Sequence, residues 1–421
     1  MEDVEVAVIG AGQAGLAVSY YLTAAGRSHV VLERGRIGES WRSQRWDSFV
    51  LNTPTELTLL PGQSVGTDDP EGFWSRDAFV SRLHHYAADQ RLPVREHAPV
   101  VKVEPRRRGG FTVTTGGADP GVLDASAVVV ASGIMQQPRV PALSRDVPDQ
   151  VRQLHTAEYR NPQVLPDGAV LVVGSGQSGC QIVEDLLAAR RHVYLATSRV
   201  PRAPRRYRGR DVLAWMAAMG SYEMTAAQLD DPAQLHARQP QISGVGPRGH
   251  SVSLQQLAHD GATLLGHLQR VTGATVHLAD DVSEHIHFAD NASAEMKRKI
   301  DEFIDHETIA APPHVTEPPD EGDAPCADPD ALAGPRELDL DAADIQTIIW
   351  CTGFSADFSW LHLPVLDEQG MPLHHDGISP IDRLAFVGFP WLRRRGSGIV
   401  YGVDADARFI VNRLDHQTDT P

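Results

Sequence analysis

Apolar residues run along this chain in short blocks separated by breaks rich in glycine and proline, and two of the blocks open the same way. VEVAVI ends at Ile9 and AVLVV ends at Val173. Each is short, bounded by glycine and rich in valine, the pattern of a buried strand. Each is followed at once by a glycine-rich turn and a stretch apolar at helical spacing, LAVSYYLTAA or CQIVEDLLAA. The pattern predicts strand, tight turn, helix, twice. SHVVLE and HVYLAT read as the strands that follow these helices. A helix is predicted over Arg76 to Gln90, and the alternating runs VVKVE and FTVTT predict a small β-meander. VVVASG at Val128 to Gly133 and TIIWCTG at Thr347 to Gly353 share one pattern, a buried strand ending in a small residue and glycine. LAFVGF predicts a further short strand, and a last helix is expected from about Val403 to Leu414.

The turns themselves are GAGQAG, Gly10 to Gly15, and GSGQSG, Gly174 to Gly179. Glycines at this spacing let backbone N–H groups and a helix N terminus approach a pyrophosphate. The first set is Gly10, Gly12, Gln13, Ala14 and Gly15. The second is Gly174, Ser175, Gly176, Gln177, Ser178 and Gly179. One such turn can simply pack a helix close to a strand; a correctly placed pair points to an oxidoreductase with two dinucleotides. The units differ after the next strand. The first ends in Glu33, followed by Arg34. An acid about 20 residues past the glycines accepts both ribose hydroxyls and repels a 2′-phosphate. The second ends without an acid, and Ser198 and Arg199 follow. A hydroxyl and a guanidinium suit a 2′-phosphate. The residues therefore predict FAD or NAD at the first site and NADPH at the second. The later arginines, Arg202 to Arg210, read equally as a solvated basic loop.

The expected fold class is α/β: two Rossmann-like, three-layer ββα dinucleotide-binding domains, the second inserted in the first. The first domain is expected over residues 1–166 and again over 337–421, the inserted NADPH domain over 167–311. The helical character of DVLAWMAAMG, SLQQLAHDGATLLGHL and SAEMKRKIDEFIDHE, about 206–306, is too long for a loop and predicts a helical cap. Residues 312–336, rich in proline and acid, read as a linker or mobile loop.

Composition narrows the partners. At 421 residues the chain has room for two cores. A formal net charge of -17 argues against nucleic acid and anionic membranes. No apolar run reaches the roughly 18 residues of a membrane span. With the first strand starting near Val4, no signal peptide is expected, and the chain reads as cytoplasmic. Cys180, Cys326 and Cys351 form no CxxC pair, and the histidines show no metal-site spacing, so no metal is expected. A small molecule is the expected partner, and a homodimer is allowed but not required.

With these motifs in hand, the chain resembles the class B flavin-dependent monooxygenases, which include flavin-containing, auxin-forming and N-hydroxylating enzymes. The resemblance covers nearly the whole chain. It rests on GAGQAG with Glu33, GESW at Gly38 to Trp41, ASG followed by Pro138 and Pro141, GSGQSG, and CTGF at Cys351 to Phe354. LHTAEYRNP resembles the second half of the family's linker signature, with His155 and Tyr159 in place. Asp149 and Val151 stand where phenylalanine and glycine are usual. GHSVSLQQLAHDGATLLG resembles a bacterial subgroup often labelled potassium-transport oxidoreductases.

The resemblance implies FAD at the first fingerprint and NADPH at the second. It implies one oxygen atom of O2 passed from a flavin hydroperoxide to a small organic substrate, most readily at nitrogen or sulfur. The cofactor then carries the hard chemistry, and no catalytic triad or carboxylate pair is expected. Asn52, in WDSFVLNTP, falls on an asparagine that lies near the flavin and nicotinamide in the family, where its amide would donate to the peroxide oxygens or fix the NADP+ ribose. It also suits a turn before Pro54. Trp41 would stack by the isoalloxazine and Arg42 would polarise a ring carbonyl. Val101 would offer its backbone to adenine, and Gly398, with Gly396 and Ile399, would aim a helix N terminus at the flavin. Four alternatives stay open. One is Baeyer–Villiger or decarboxylative oxygenation, whose signature has Trp where Tyr159 stands. The others are a disulfide or quinone reductase, a flavin reductase or oxidase without oxygenation, and a non-catalytic regulatory flavoprotein.

Overall fold

The computed structural model describes residues 2–66, 68–312 and 321–416. The first sheet is built from β1 (Glu2–Ile9), β2 (His29–Leu32), β3 (Val94–Arg95), β4 (Val100–Pro105), β5 (Phe111–Thr115) and β6 (Gly121–Val130). Its order is β3-β2-β1-β6-β5-β4, and a return strand, Leu384–Phe386, pairs with β6. β1 is parallel to β2 and β6, with Ile9 opposite both Leu32 and Val130. The β4–β5–β6 arm is antiparallel, the meander that the alternating runs predict. Helix α1 (Gln13–Ala24) and the last helix, Val400–His416, cover one face. Both faces of β1 are covered, so Val6, Ala7, Val8 and Ile9 are all buried. Helix α2 (Arg76–Asp89) starts under a Ser75 cap that accepts from Ala78 N–H.

The second sheet is wholly parallel. It contains β7 (Arg152–His155), β8 (Ala169–Val173), β9 (Val193–Ala196), β10 (Thr263–Leu265) and, late in the chain, Ile345–Trp350, in the order β10-β9-β8-(345–350)-β7. Helix α3 (Gln177–Ala188) follows β8 as α1 follows β1. This is the doubly wound α/β arrangement of two Rossmann-like units, the second inserted in the first.

Three expectations change. First, Arg152–His155 and Ile345–Trp350 belong to the second sheet, so the chain leaves the first unit before residue 152 and rejoins it only after Trp350. An apolar strand carries no label for its sheet, but the shared small–Gly ending did. A Cβ on Gly10 would sit 2.7 Å from the Ala131 carbonyl oxygen, and one on Gly174 would sit 2.7 Å from that of Cys351. TIIWCTG is thus the second unit's copy of VVVASG. Second, the region 206–306 is only partly helical. The SLQQLAHDGATLLGHL stretch holds one short helix, Leu254–His259. It breaks at Gly261, whose φ of 111° no helix accepts, and continues as β10. The helical part of the cap is α4 (Val212–Ala218) against the long helix α5 (Val282–Glu307). Between them Trp215, Ile242, Ile300 and Ile304 form a separate core. Third, residues 313–320 of the predicted linker lie outside the described residues, and the largely exposed stretch 322–336 is anchored to the cap at Asp323 and Cys326. Asp323 accepts from buried Arg202 and from Ser293, each at 2.8 Å, and Cys326 N–H donates to Asp290. Among the described residues no helix is long and apolar enough to cross a membrane.

Candidate active site

A cleft of about 420 Å³ opens at the carboxyl ends of β1 and β2. Gly10, Gly12, Gln13, Ala14, Glu33, Arg34, Trp41 and Gly398 line it, with the Ser132–Gln137 loop opposite. Gly15 lies under the turn. A Cβ there would fall 1.8 Å from the Gly10 carbonyl oxygen, so helix and strand approach only through glycine. A Cβ on Gly12 would meet nothing within 4 Å. Gly12 caps α1 without a side-chain bond. Among the described residues no acceptor meets the N–H of Gly12, Gln13 or Ala14. Orphan donors at a helix N terminus facing an open cradle suit a pyrophosphate.

Glu33 is buried at the end of β2. Its carboxylate accepts from Ala11 N–H at 2.8 Å and Gly35 N–H at 2.9 Å. Burial pushes its pKa up, and the two N–H donors oppose that. Trp41, in a single helical turn Glu39–Ser43, donates its indole N–H to Gln13 Oε1 at 3.0 Å and packs edge-on against Phe79. Two expected residues fall elsewhere. Arg42 is off the cleft wall, with its Nε buried and unbonded. One turn beyond Trp41, Arg45 lines the cleft instead, and its guanidinium lies 5.4 Å from the centres of the Trp41 and Phe49 rings. Desolvation brings its pKa down to about 10. Val101 is half exposed at an irregularity in the β4–β5 register, and its neighbours Pro99 and Val100 form the wall. The register break at Val101 turns it off the wall, while Pro99 and Val100 stay on it.

The second fingerprint repeats the design. A Cβ on Gly179 would fall 1.8 Å from the Gly174 oxygen, one on Gly176 would meet nothing within 4 Å, and Gly176 caps α3 without a side-chain bond. Gln177 accepts from Ile242 N–H, and the first-turn N–H groups of Gln177 and Ser178 face no acceptor among the described residues. Ser175 Oγ accepts from Ser198 N–H at 2.9 Å and donates to its carbonyl, tying the loop after β9 to the glycine turn. Arg199 is exposed and stacks on Phe288, its guanidinium 4.2 Å from the ring centre. It has no acid partner among the described residues. Arg238 joins them, donating to Ser198 Oγ at 2.8 Å. It comes from the cap, 40 residues on, where no local signal marked it. The later arginines are engaged within the protein. Arg202 pairs with Asp290 and Asp323, Arg205 with Asp211, and Arg208 with Asp301.

Asn52 is half-buried where the two units and the cap meet. Its Oδ1 accepts from Gln181 Nε2 at 2.9 Å and from Gly244 N–H at 3.2 Å, and its carbonyl accepts from Arg205 at 2.8 Å. His155 and Tyr159 brace the second unit, and Tyr159 also meets Trp46 of the first. His155 Nε2 lies 2.9 Å from the Gly353 carbonyl, and Tyr159 donates to Asp185 on α3 at 2.6 Å. Among the described residues no group of three His, Cys, Asp or Glu side chains is placed to hold a metal.

Residues 7–240 match the family described as pyridine nucleotide-disulphide oxidoreductase. An uncharacterised CzcO-like oxidoreductase of Geobacillus kaustophilus (strain HTA426) is 31% identical over 98% of each chain. The rice (Oryza sativa subsp. japonica) indole-3-pyruvate monooxygenase YUCCA1 is 33% identical over 42% of this chain and 44% of its own. A flavin-containing monooxygenase from Stenotrophomonas maltophilia superposes with a TM-score of 0.67 at 19% identity, covering 99% of this chain and 100% of that one. The chain belongs to the pyridine nucleotide-disulphide oxidoreductase family, and the monooxygenases among its relatives support a place with the class B flavin monooxygenases.

Proposed function

We propose that this protein is an FAD- and NADPH-dependent monooxygenase that passes one oxygen atom of O2 to nitrogen or sulfur of a small organic molecule. The observation that carries this reading is a pair of open helix N termini that face different chemistry. The first has a buried carboxylate, Glu33, beside it and suits an unphosphorylated adenosine ribose. The second has Ser198, Arg199 and Arg238 beside it and suits a 2′-phosphate. When bound, the flavin accepts hydride from NADPH and activates O2; the net change is substrate, O2, NADPH and a proton to oxygenated substrate, water and NADP+.

The chain's own residues bind, orient and exclude water. The glycine turns hold the pyrophosphates through backbone N–H groups. Trp41, fixed by Gln13 and Phe79, walls the cleft. The Asn52 amide offers a donor at the junction of the two units. A disulfide reductase needs a paired, reactive thiol. Here Cys180 is fully buried with its pKa raised, and burial pushes Cys351 up to about 12. Tyr159, locked to Asp185, leaves the Baeyer–Villiger reading without a specific observation in its favour. The test is to load the protein with FAD and supply NADPH and dioxygen with a panel of amines and thioethers. An N- or S-oxide formed only with NADPH supports the reading. A panel left unchanged while NADPH is oxidised counts against it.

A further inference from the structure

The two side-chain amides at the junction of the units orient each other without ambiguity. A backbone carbonyl only accepts, so the Gln181 atom 3.3 Å from the Ile242 carbonyl oxygen is nitrogen. A backbone N–H only donates, so the Asn52 atom 3.2 Å from Gly244 N is oxygen. The remaining contact, Gln181 Nε2 to Asn52 Oδ1 at 2.9 Å, is then donor to acceptor, and the three bonds agree. Flipping either amide would set donor against donor or acceptor against acceptor. Asn52 Nδ2 is therefore the atom that remains; among the described residues it has no partner, and it is not among the buried unpartnered atoms.

The holders come from both other parts of the molecule. Gln181 lies on α3, two residues past the second glycine fingerprint, and is buried. Gly244 ends a cap segment that also grips that fingerprint. Gln241 Nε2 reaches the Ser175 carbonyl, and Ile242 N–H donates to Gln177 Oε1. A Cβ on Gly244 would lie 2.0 Å from the Leu51 carbonyl oxygen, so the segment is pressed against the chain beside Asn52. Three residues before Gln241, Arg238 rests on Ser198.

We infer that Gln181, together with the 241–244 segment, is a positioning device that fixes the Asn52 amide with its NH2 outward and ties that orientation to the helix of the second nucleotide site. This rests on the reading of Asn52 as a donor to the bound cofactors. Gln181 touches neither cofactor in this account; it acts through Asn52.

A double-mutant cycle separates the parts, using FAD-loaded full-length protein and the variants Asn52→Leu, Gln181→Met and both together. Two quantities are read: the rate of hydrogen peroxide release after the NADPH-reduced protein is mixed with O2, and the change in the flavin absorbance spectrum on adding NADP+. Melting temperatures confirm that each variant is folded, and Gln181→Leu replaces Gln181→Met if the latter is not. Each single variant is expected to raise peroxide release roughly tenfold, a fraction of what losing a preorganised donor costs. Each should also diminish the NADP+-induced spectral change. In the double variant Gln181→Met should add nothing to Asn52→Leu. Effects that multiply, or a folded Gln181 variant that behaves as the parent while Asn52→Leu does not, overturn the positioning role alone. A folded Asn52→Leu protein unchanged in both quantities overturns the reading of Asn52, and the positioning role with it.

Discussion

Arg238 donates to the hydroxyl of Ser198 at 2.8 Å, which brings a cap residue to the edge of the second nucleotide site. If the second site takes NADPH, Ser198 and Arg199 alone would offer its 2′-phosphate one guanidinium, and Arg238 would add a second.

Selectivity for NADPH should therefore depend on both arginines. Arg199→Ala and Arg238→Ala are each expected to lose a charge-assisted contact of about 1.5–3 kcal/mol, or roughly ten- to hundred-fold in the KM for NADPH. The KM for NADH should stay within a factor of about two, because NADH lacks the group they contact. Steady-state flavin reduction with each cofactor measures this. Equal losses with NADH would show that the arginines hold the cap rather than the phosphate.

Two glycines three residues apart should behave differently if the first cleft takes FAD: Gly15 is closed in by the Gly10 oxygen, and Gly12 faces open space. Gly12→Ala should fold with an unchanged melting temperature as apoprotein yet retain little flavin, because its methyl group enters the pyrophosphate space. Gly15→Ala should be destabilised with or without flavin, since the new Cβ has no room. Flavin released on heating, set against the apoprotein melting curve, checks both. Full flavin retention by Gly12→Ala would move the pyrophosphate elsewhere.

Glu33 makes apoprotein stability depend on pH. Burial raises its folded pKa above the unfolded value, so the folded state favours the protonated acid. The sign follows: its contribution is fully present below the unfolded carboxylate pKa of about 4.3 and is lost as pH rises through the folded pKa. Measured against Glu33→Gln, which does not titrate, the parent apoprotein should lose relative stability as pH is raised through the weakly acidic range. Melting temperatures of both proteins across that range decide it; a relative gain would mean that the Ala11 and Gly35 N–H groups outweigh desolvation.

The sequence carried the two strand–turn–helix units well, because a glycine fingerprint is a local signal and Gly10, Gly15, Gly174 and Gly179 each answer to a contact within their own unit. It carried sheet membership poorly. Ile345–Trp350 looks like any buried strand, and only its likeness to Val128–Gly133 tells which fingerprint it backs. Site residues split the same way. Glu33 lies where its spacing put it, at the lip of the first cleft. Arg45 displaced Arg42 at the wall because the short turn Glu39–Ser43 sets which arginine faces inward. Arg238, Gln181 and Gly244 were invisible, since what places them is a cap segment folding back over α3.

Tyr159 illustrates a motif residue that works as a joint. It is fully buried, donates to Asp185 at 2.6 Å and packs beside Trp46. Tyr159→Phe should lower unfolding stability by about 1–2 kcal/mol, since the half-buried carboxylate of Asp185 loses one donor and keeps Ser48. The rate of peroxide release from the NADPH-reduced protein in O2 should be unchanged, because the hydroxyl faces Asp185 and not the cleft. Denaturant unfolding and peroxide quantification together test this; a stable Tyr159→Phe protein with altered peroxide release would give the residue a part in the chemistry.

Isotopically labelled dioxygen distinguishes oxygen transfer to a substrate from plain oxidation of NADPH. FAD-loaded protein is incubated with NADPH, labelled O2 and a mixture of small amines and thioethers, and the products are read by mass spectrometry. The account predicts products carrying one labelled oxygen atom, formed with NADPH and not without it. Recovery of all the electrons from NADPH as hydrogen peroxide, with no labelled product from any compound in the mixture, would contradict it.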